Sequence, residues 1–337
     1  MRGWRHLSLT LAGVLALSAP AIGAAKTHHA QPAKPAAPTL VSFQRDLISV
    51  LAPRADAQPL LGAALLARPL TGQPKYNDFH SLIERAVSAP GNGPAQSWMR
   101  LADCDAAAGG CPNADALAVL LTQAPDNAAV WMLQLGQDVR DGKSAPARDD
   151  LAKAASAKLY DDYAGASLQA LASTIGVLPP PADLLGQATA SSAAGIQAML
   201  VFAIAGTQPQ PGLQATAGLC AAPGEDAALK DDCLKLGKTL EWGSSPLARS
   251  LGLHLRETLA DDPAQQESAR QARRDLTWQV QHFAELAART RTEPALAQHL
   301  LALARSGGTE MSVMLSALRD AGVPAQAPVD WQPHPAK

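Results

Sequence analysis

The sequence is poor in aromatic residues. Phe, Trp and Tyr make up 4% of its 337 residues, although 47% of the chain is hydrophobic. Alanine supplies much of the difference. Strands want β-branched and aromatic side chains, whereas alanine lets helices approach closely, so this composition argues against a β-sandwich and for packed helices. The chain also lacks an excess of either charge. A net charge of −2 provides no electrostatic footprint for nucleic acid and no single-sign field to steer a substrate. Long apolar runs are missing beyond the N-terminus. The closest, Ile196 to Ala205, is far shorter than the roughly 20 residues of a membrane span and reads as a buried helix.

Catalytic motifs are absent too. There is no HExxH, no GxSxG, no P-loop, no GxGxxG leading into a helix and no CxxC, so the enzyme classes built on those motifs have no support here. A triad assembles in space rather than in sequence, so this argument reaches only the motif-bearing classes. His80, His254, His282 and His299 are scattered. His28 and His29 are adjacent within a Pro/Ala/Lys stretch that offers no converging ligands. No metal and no cofactor are expected.

What is present begins with a secretory pattern. Arg2 and Arg5 precede an apolar run from Leu7 to Leu17, and small residues at Ala21-Ile22-Gly23 or Gly23-Ala24-Ala25 suit cleavage. Residues 1–25 therefore read as a signal peptide. Residues 26–39 read as an extended, disordered linker. The expected destination is a bacterial periplasm or the medium, the bacterial setting resting on the short signal and the alanine-rich composition. Export permits disulfides. Of the three possible pairings of four cysteines, Cys104–Cys111 and Cys220–Cys233 are expected, because each pair is local and spans a predicted helix–turn–helix corner.

Apolar residues recur at i, i+3, i+4 along most of the chain. Leu40, Phe43, Leu47 and Leu51 share one face, as do Phe79, Leu82, Ile83 and Val87. Ser245-Pro246 and Asp262-Pro263 each pair a cap with a proline at the first helical position. The second of these opens the longest helix, to about Arg289, with Leu276, Val280, Phe283 and Ala287 as its buried stripe. Pro179-Pro180-Pro181 is the strongest break. It marks a domain boundary, or at least a bend in the superhelix, between an N-terminal helical region, 40–178, and a C-terminal one, 182–322, and the proline-rich residues 323–337 read as a disordered tail, with a docking peptide as the alternative.

One stretch carries a family signal. Trp98, Leu101 and Ala102 fit a W-x2-L-G first helix, and Met132 to Gly136 follow about 34 residues after Trp98 to Ala102. Ala114, Ala118 and Leu121 suit a second helix, and Pro125 closes the unit. In the next unit Trp131 sits one position early, and Ala147 aligns only with a gap. Over roughly residues 94–158 the chain thus resembles the tetratricopeptide family. That resemblance implies stacked hairpins, Trp98 and Trp131 in the core, and a concave groove that takes peptides or proteins. The fold expected for the whole chain is all-α, with antiparallel hairpins stacked in a tetratricopeptide-like solenoid or an irregular superhelix.

Two features suggest sites. Four Asp-Asp pairs, at 149–150, 161–162, 231–232 and 261–262, lie near predicted helix starts and read as caps and solvated faces. On the long helix Arg270, Arg273 and Arg274 cluster, and Trp278 and His282 continue the row from Arg274. That face can hold an anionic ligand or an acidic peptide, with Arg274 stacked on Trp278. The function expected is an exported, non-catalytic helical-repeat protein that mediates protein or peptide interactions in the cell envelope. The alternative is an enzyme acting on envelope polymers through a site assembled in space.

Overall fold

The computed structural model describes residues 39–107, 114–187, 192–210 and 212–332, with the side chains of 103–107, 114–115 and 186–187 left aside. The expected signal peptide, nearly all of the linker with His28 and His29, the Cys104–Cys111 pair and residues 333–337 lie outside the described part.

The described residues form sixteen α-helices and no strand; Asn127 and Leu159 make an isolated bridge. In chain order they are α1 (Leu40–Leu51), α2 (Ala57–Ala67), α3 (Phe79–Ser88), α4 (Pro94–Ala107), α5 (Ala114–Gln123), α6 (Ala128–Arg140), α7 (Ser144–Ser156) and α8 (Ala164–Thr174). There follow α9 (Ala182–Gln187), α10 (Ala193–Ala205), α11 (Leu213–Cys220), α12 (Ala227–Glu241), α13 (Pro246–Leu259), α14 (Pro263–Arg289), α15 (Pro294–Ser306) and α16 (Glu310–Asp320). The starts are chemically marked. Thr39, Asp78, Asn127, Ser192, Asp226, Asp262 and Thr309 each accept a first-turn backbone N–H on the side chain, which satisfies a donor that has no partner within the helix. Proline opens α13, α14 and α15, where its missing N–H costs nothing.

Neighbouring helices pair as hairpins, most extensively α12 with α13, α6 with α7 and α2 with α3. The α12–α13 approach is set by glycine: a Cβ on Gly252 would stand 2.6 Å from both Glu241 N and Gly237 O. The stacking of hairpins is not one-dimensional. In a solenoid each unit touches only its neighbours. Here α8 packs on α2, α10 and α15, and α7 packs on α12. The all-α expectation is met, and these returns make it an irregular packing around a central α8. Residues from Pro38 onward form one unit, and one core runs from Phe43 on α1 to Val313 on α16. The boundary expected at Pro179-Pro180-Pro181 is therefore a bend within that core. A proline run breaks a helix through backbone sterics, which does not prevent the helices on either side from packing on each other.

A second apolar cluster joins Leu253 of α13, Leu276 and Leu286 of α14, and Met311, Met314 and Leu318 of α16. The stripe of α14 runs through Ala269, Leu276 and Leu286, with Phe283 half-buried against Phe202 of α10. Val280, expected inside, is 40% exposed. No described helix is long and apolar enough to cross a membrane.

Candidate functional site on the longest helix

The row predicted on α14 divides in two, because Arg273 and Arg274 lie about 100° apart around the helix. Arg270 and Arg273 both turn to Glu257 of α13; Arg270 Nε is 3.3 Å from its Oε1, and Arg270 also reaches Glu267. Burial by itself would raise the Glu257 carboxyl, but the two guanidinium groups outweigh it and hold the carboxyl below the usual range. The charge of these two arginines is thus met by an internal carboxylate.

Arg274, Trp278 and His282 form the other half; Arg274 and Trp278 face the chain's own C-terminal segment, and His282 lies against Trp278. Arg274 donates to the backbone carbonyls of Ala327 (3.5 Å), Val329 (3.0 Å) and Trp331 (2.9 Å), and also to that of Pro328. Trp278 Nε1 donates to Pro324 O at 2.8 Å and Gln279 Nε2 to Ala325 O at 2.7 Å. In the other direction, the Ala327 N–H donates to Asp275 Oδ1 at 2.9 Å. The Trp331 ring meets Trp278 edge-on, with centroids 5.4 Å apart, and Arg274 lies 5.8 Å over the same ring. His282 is 3.8 Å from Trp278 in ring centroids, and its Nδ1 pairs with Glu285 at 2.9 Å. Residues 323–332 are thus held along α14, where a disordered tail was expected. The predicted stacking of Arg274 on Trp278 becomes stacking on Trp331, which shares the edge of that ring. Gln279 and Asp275 escaped the sequence reading because neither carries a motif; the proline-rich tail was the signal that this backbone needed partners.

Two clusters of carboxylates also depart from expectation. Asp150, read as a cap or solvated residue, is buried on α7 and lines the same cleft as the buried Asp138 of α6. Burial raises its carboxyl, Lys153 at 2.9 Å lowers it, and Asp138 adds to the rise. The pair lies in a shallow cleft of about 300 Å³ with Trp131, Gln134 and Asp149 on its walls. Trp131, expected in the core, stands at the cleft with Lys153 4.7 Å over its ring and its Nε1 donating to Pro125 O. Trp98 is in the core as expected.

The second cluster is buried where α8, α13 and α16 begin. Asp162 Oδ1 accepts from Ser244 Oγ at 2.8 Å and from Ala164 N at 3.2 Å, while Ser244 O accepts from Met311 N at 3.0 Å. Asp162 Oδ2 and Ser245 Oγ have no partner among the described residues. Of the three helix starts, α8 donates to this carboxylate directly through Ala164 N, and α16 is tied to it through Ser244. Glu310, in the first turn of α16, is raised to about 7 by burial and by the charge of Asp162. Tyr163, at φ 55°, is a non-glycine residue in the left-handed region; Asp161 Oδ1 accepts its N–H at 2.8 Å. Among the described residues no group of three or more His, Cys, Asp or Glu side chains is placed to hold a metal ion.

Comparison with known proteins returns no match: no family model, no curated protein and no solved structure is significantly similar to the chain.

Proposed function

We propose that the protein is exported to the cell envelope and works there without catalysis, engaging irregular peptide segments of partner proteins on the Arg274–Trp278–Gln279 face of α14. The observation that carries this reading is the use of that face. Arg274, Trp278 and Gln279 donate to six backbone carbonyls of one irregular, strand-free segment that ends in a turn. Groups that grip a main chain this way recognise a peptide's conformation more than its side chains. The secretory pattern of residues 1–25 supports export, and a disulfide between Cys220 and Cys233 agrees with it.

The enzyme reading draws on the Asp138–Asp150 cleft. Cleavage of a glycan by paired carboxyls needs them about 5–9.5 Å apart, flanking the bond. Asp150 is instead paired with Lys153 at 2.9 Å and Asp138 with Lys143 at 3.5 Å; both carboxyls are engaged by lysines, which supports the interaction reading. Selection of displayed random peptides on the mature chain tests it. Proline-containing peptides whose retention is lost on Arg274→Ala are expected; a selection that yields only binders indifferent to Arg274→Ala overturns the reading.

A further inference from the structure

We infer that residues 323–332 are a resident occupant of the α14 face, and that the face's partner is a proline-interrupted peptide with an aromatic residue brought back by a turn shortly after its last proline, which binds by displacing them. The inference rests on the peptide-binding reading above and adds the partner's chemistry and the means by which the face is kept closed.

The chemistry follows from what the face asks of its occupant. It supplies donors for carbonyls at positions 324, 325, 327, 328, 329 and 331, and one acceptor, Asp275, for the N–H of Ala327. The face thus reads carbonyls far more than N–H groups, six against one. Proline removes an N–H and keeps the carbonyl. Pro324 and Pro328 stand at two of the gripped carbonyls. Three residues after Pro328 the Trp331 N–H folds back onto Pro328 O at 3.0 Å, which brings the indole against Trp278. The pattern is therefore a run of accessible carbonyls, two of them on prolines, and one aromatic ring beyond the last proline.

Displacement follows from how lightly the segment is anchored. Pro324, Ala325, Gln326, Pro328, Val329 and Asp330 are exposed, Val329 to 98%. Ala327 alone among residues 323–332 is fully buried, with Val323 and Trp331 part-buried. The segment leaves α16 at Gly322, whose φ of 72° only glycine adopts readily. The anchoring is main-chain hydrogen bonding plus one ring, which a second peptide of like chemistry reproduces in full. Tethering gives the resident segment an effective concentration in the millimolar range. A competitor's apparent affinity then falls by the fraction of molecules with an open face.

The test uses the mature full chain and a dye-labelled synthetic peptide of residues 323–332, read by fluorescence anisotropy. Loosening the resident copy by Trp331→Ala in the protein is expected to tighten binding of the intact peptide by about tenfold or more, the factor expected if the segment closes the face about nine-tenths of the time. Adding Arg274→Ala to that variant is expected to abolish binding. Equal, tight binding to wild type and Trp331→Ala overturns the closed-face inference and leaves peptide binding standing. Failure of Trp331→Ala to bind the peptide, with its helical circular dichroism unchanged, overturns both. Binding that survives Arg274→Ala places the peptide elsewhere and also overturns the inference. A peptide carrying Trp331→Ala is expected to bind the loosened protein at least about tenfold more weakly, the scale of one lost aromatic contact with its buried area; equal binding removes the aromatic from the partner's chemistry.

Discussion

Glu310 and Asp162 are two acids at one buried junction, and the cost of charging both is legible in Glu310, lifted from 4.5 to about 7. A carboxyl whose folded value is raised binds its proton more tightly in the native state. Stability is then greatest below pH 4.5, where the carboxyl is protonated in both states. It falls as pH rises towards 7, and the full penalty remains above that. The shift corresponds to at most about 3 kcal/mol. Glu310→Gln should therefore unfold at a higher denaturant concentration than wild type at pH 8 and at nearly the same one at pH 4.5. An equal gap at both pH values would show that the charge is not the cause. Sequence alone could not single out this residue. Glu310 sits in a helix first turn, where a carboxylate is ordinarily favoured, and Asp162 is 148 positions away by subtraction of the two residue numbers. The Asp-Asp pairs divide for the same reason. Asp262 caps α14 as its position suggests, and Asp231 makes an exposed i, i+4 pair with Lys235. Asp150 and Asp162 are instead buried by helices that arrive from elsewhere in the chain.

At the scale of the element, the helices were largely visible in advance because their starts and faces are written locally, in caps, prolines and apolar spacing. The face of α14 was less so. Its stripe follows Ala269, Leu276, Phe283 and Leu286 rather than Val280, because α13, α15 and α16 meet it along that line. The Cys220–Cys233 bridge is another local feature. It joins the end of α11 to α12, with Cα atoms 5.8 Å apart across a sequence separation of 13. A loop of that length loses about 3 kcal/mol of denatured-state entropy when closed. Replacing both cysteines by serine should lower the unfolding free energy obtained from urea titration by about that amount while the native far-ultraviolet spectrum persists. A shift below about 0.5 kcal/mol, the range of an ordinary surface substitution, would mean that α11 and α12 are held without the bridge.

At the scale of the whole molecule, α8 decides the behaviour. It lies between α2 and α15, helices from opposite ends of the chain, so neither half encloses a complete core. Residues 39–178 expressed alone should therefore fail to unfold cooperatively and should bind a hydrophobic dye, whereas the full chain should show one transition. A fragment with a sharp transition of its own would restore the two-region organisation suggested by the proline run. A nearest-neighbour solenoid would tolerate such a cut, because its units are stabilised one interface at a time.

By itself the sequence determined what depends on near neighbours along the chain: the all-α class, most helix starts, the Cys220–Cys233 pair and the row of Arg274, Trp278 and His282. Caps, proline sterics and helical periodicity act within a few residues, so one stretch suffices to read them. Tertiary structure alone decided what covers each face. It paired Arg270 and Arg273 with Glu257, laid the C-terminal backbone on Arg274, Trp278 and Gln279, and buried Asp162 beside Glu310. Hydrogen bonds and desolvation depend on distance in space, and these partners meet only when α13, α14 and α16 have packed.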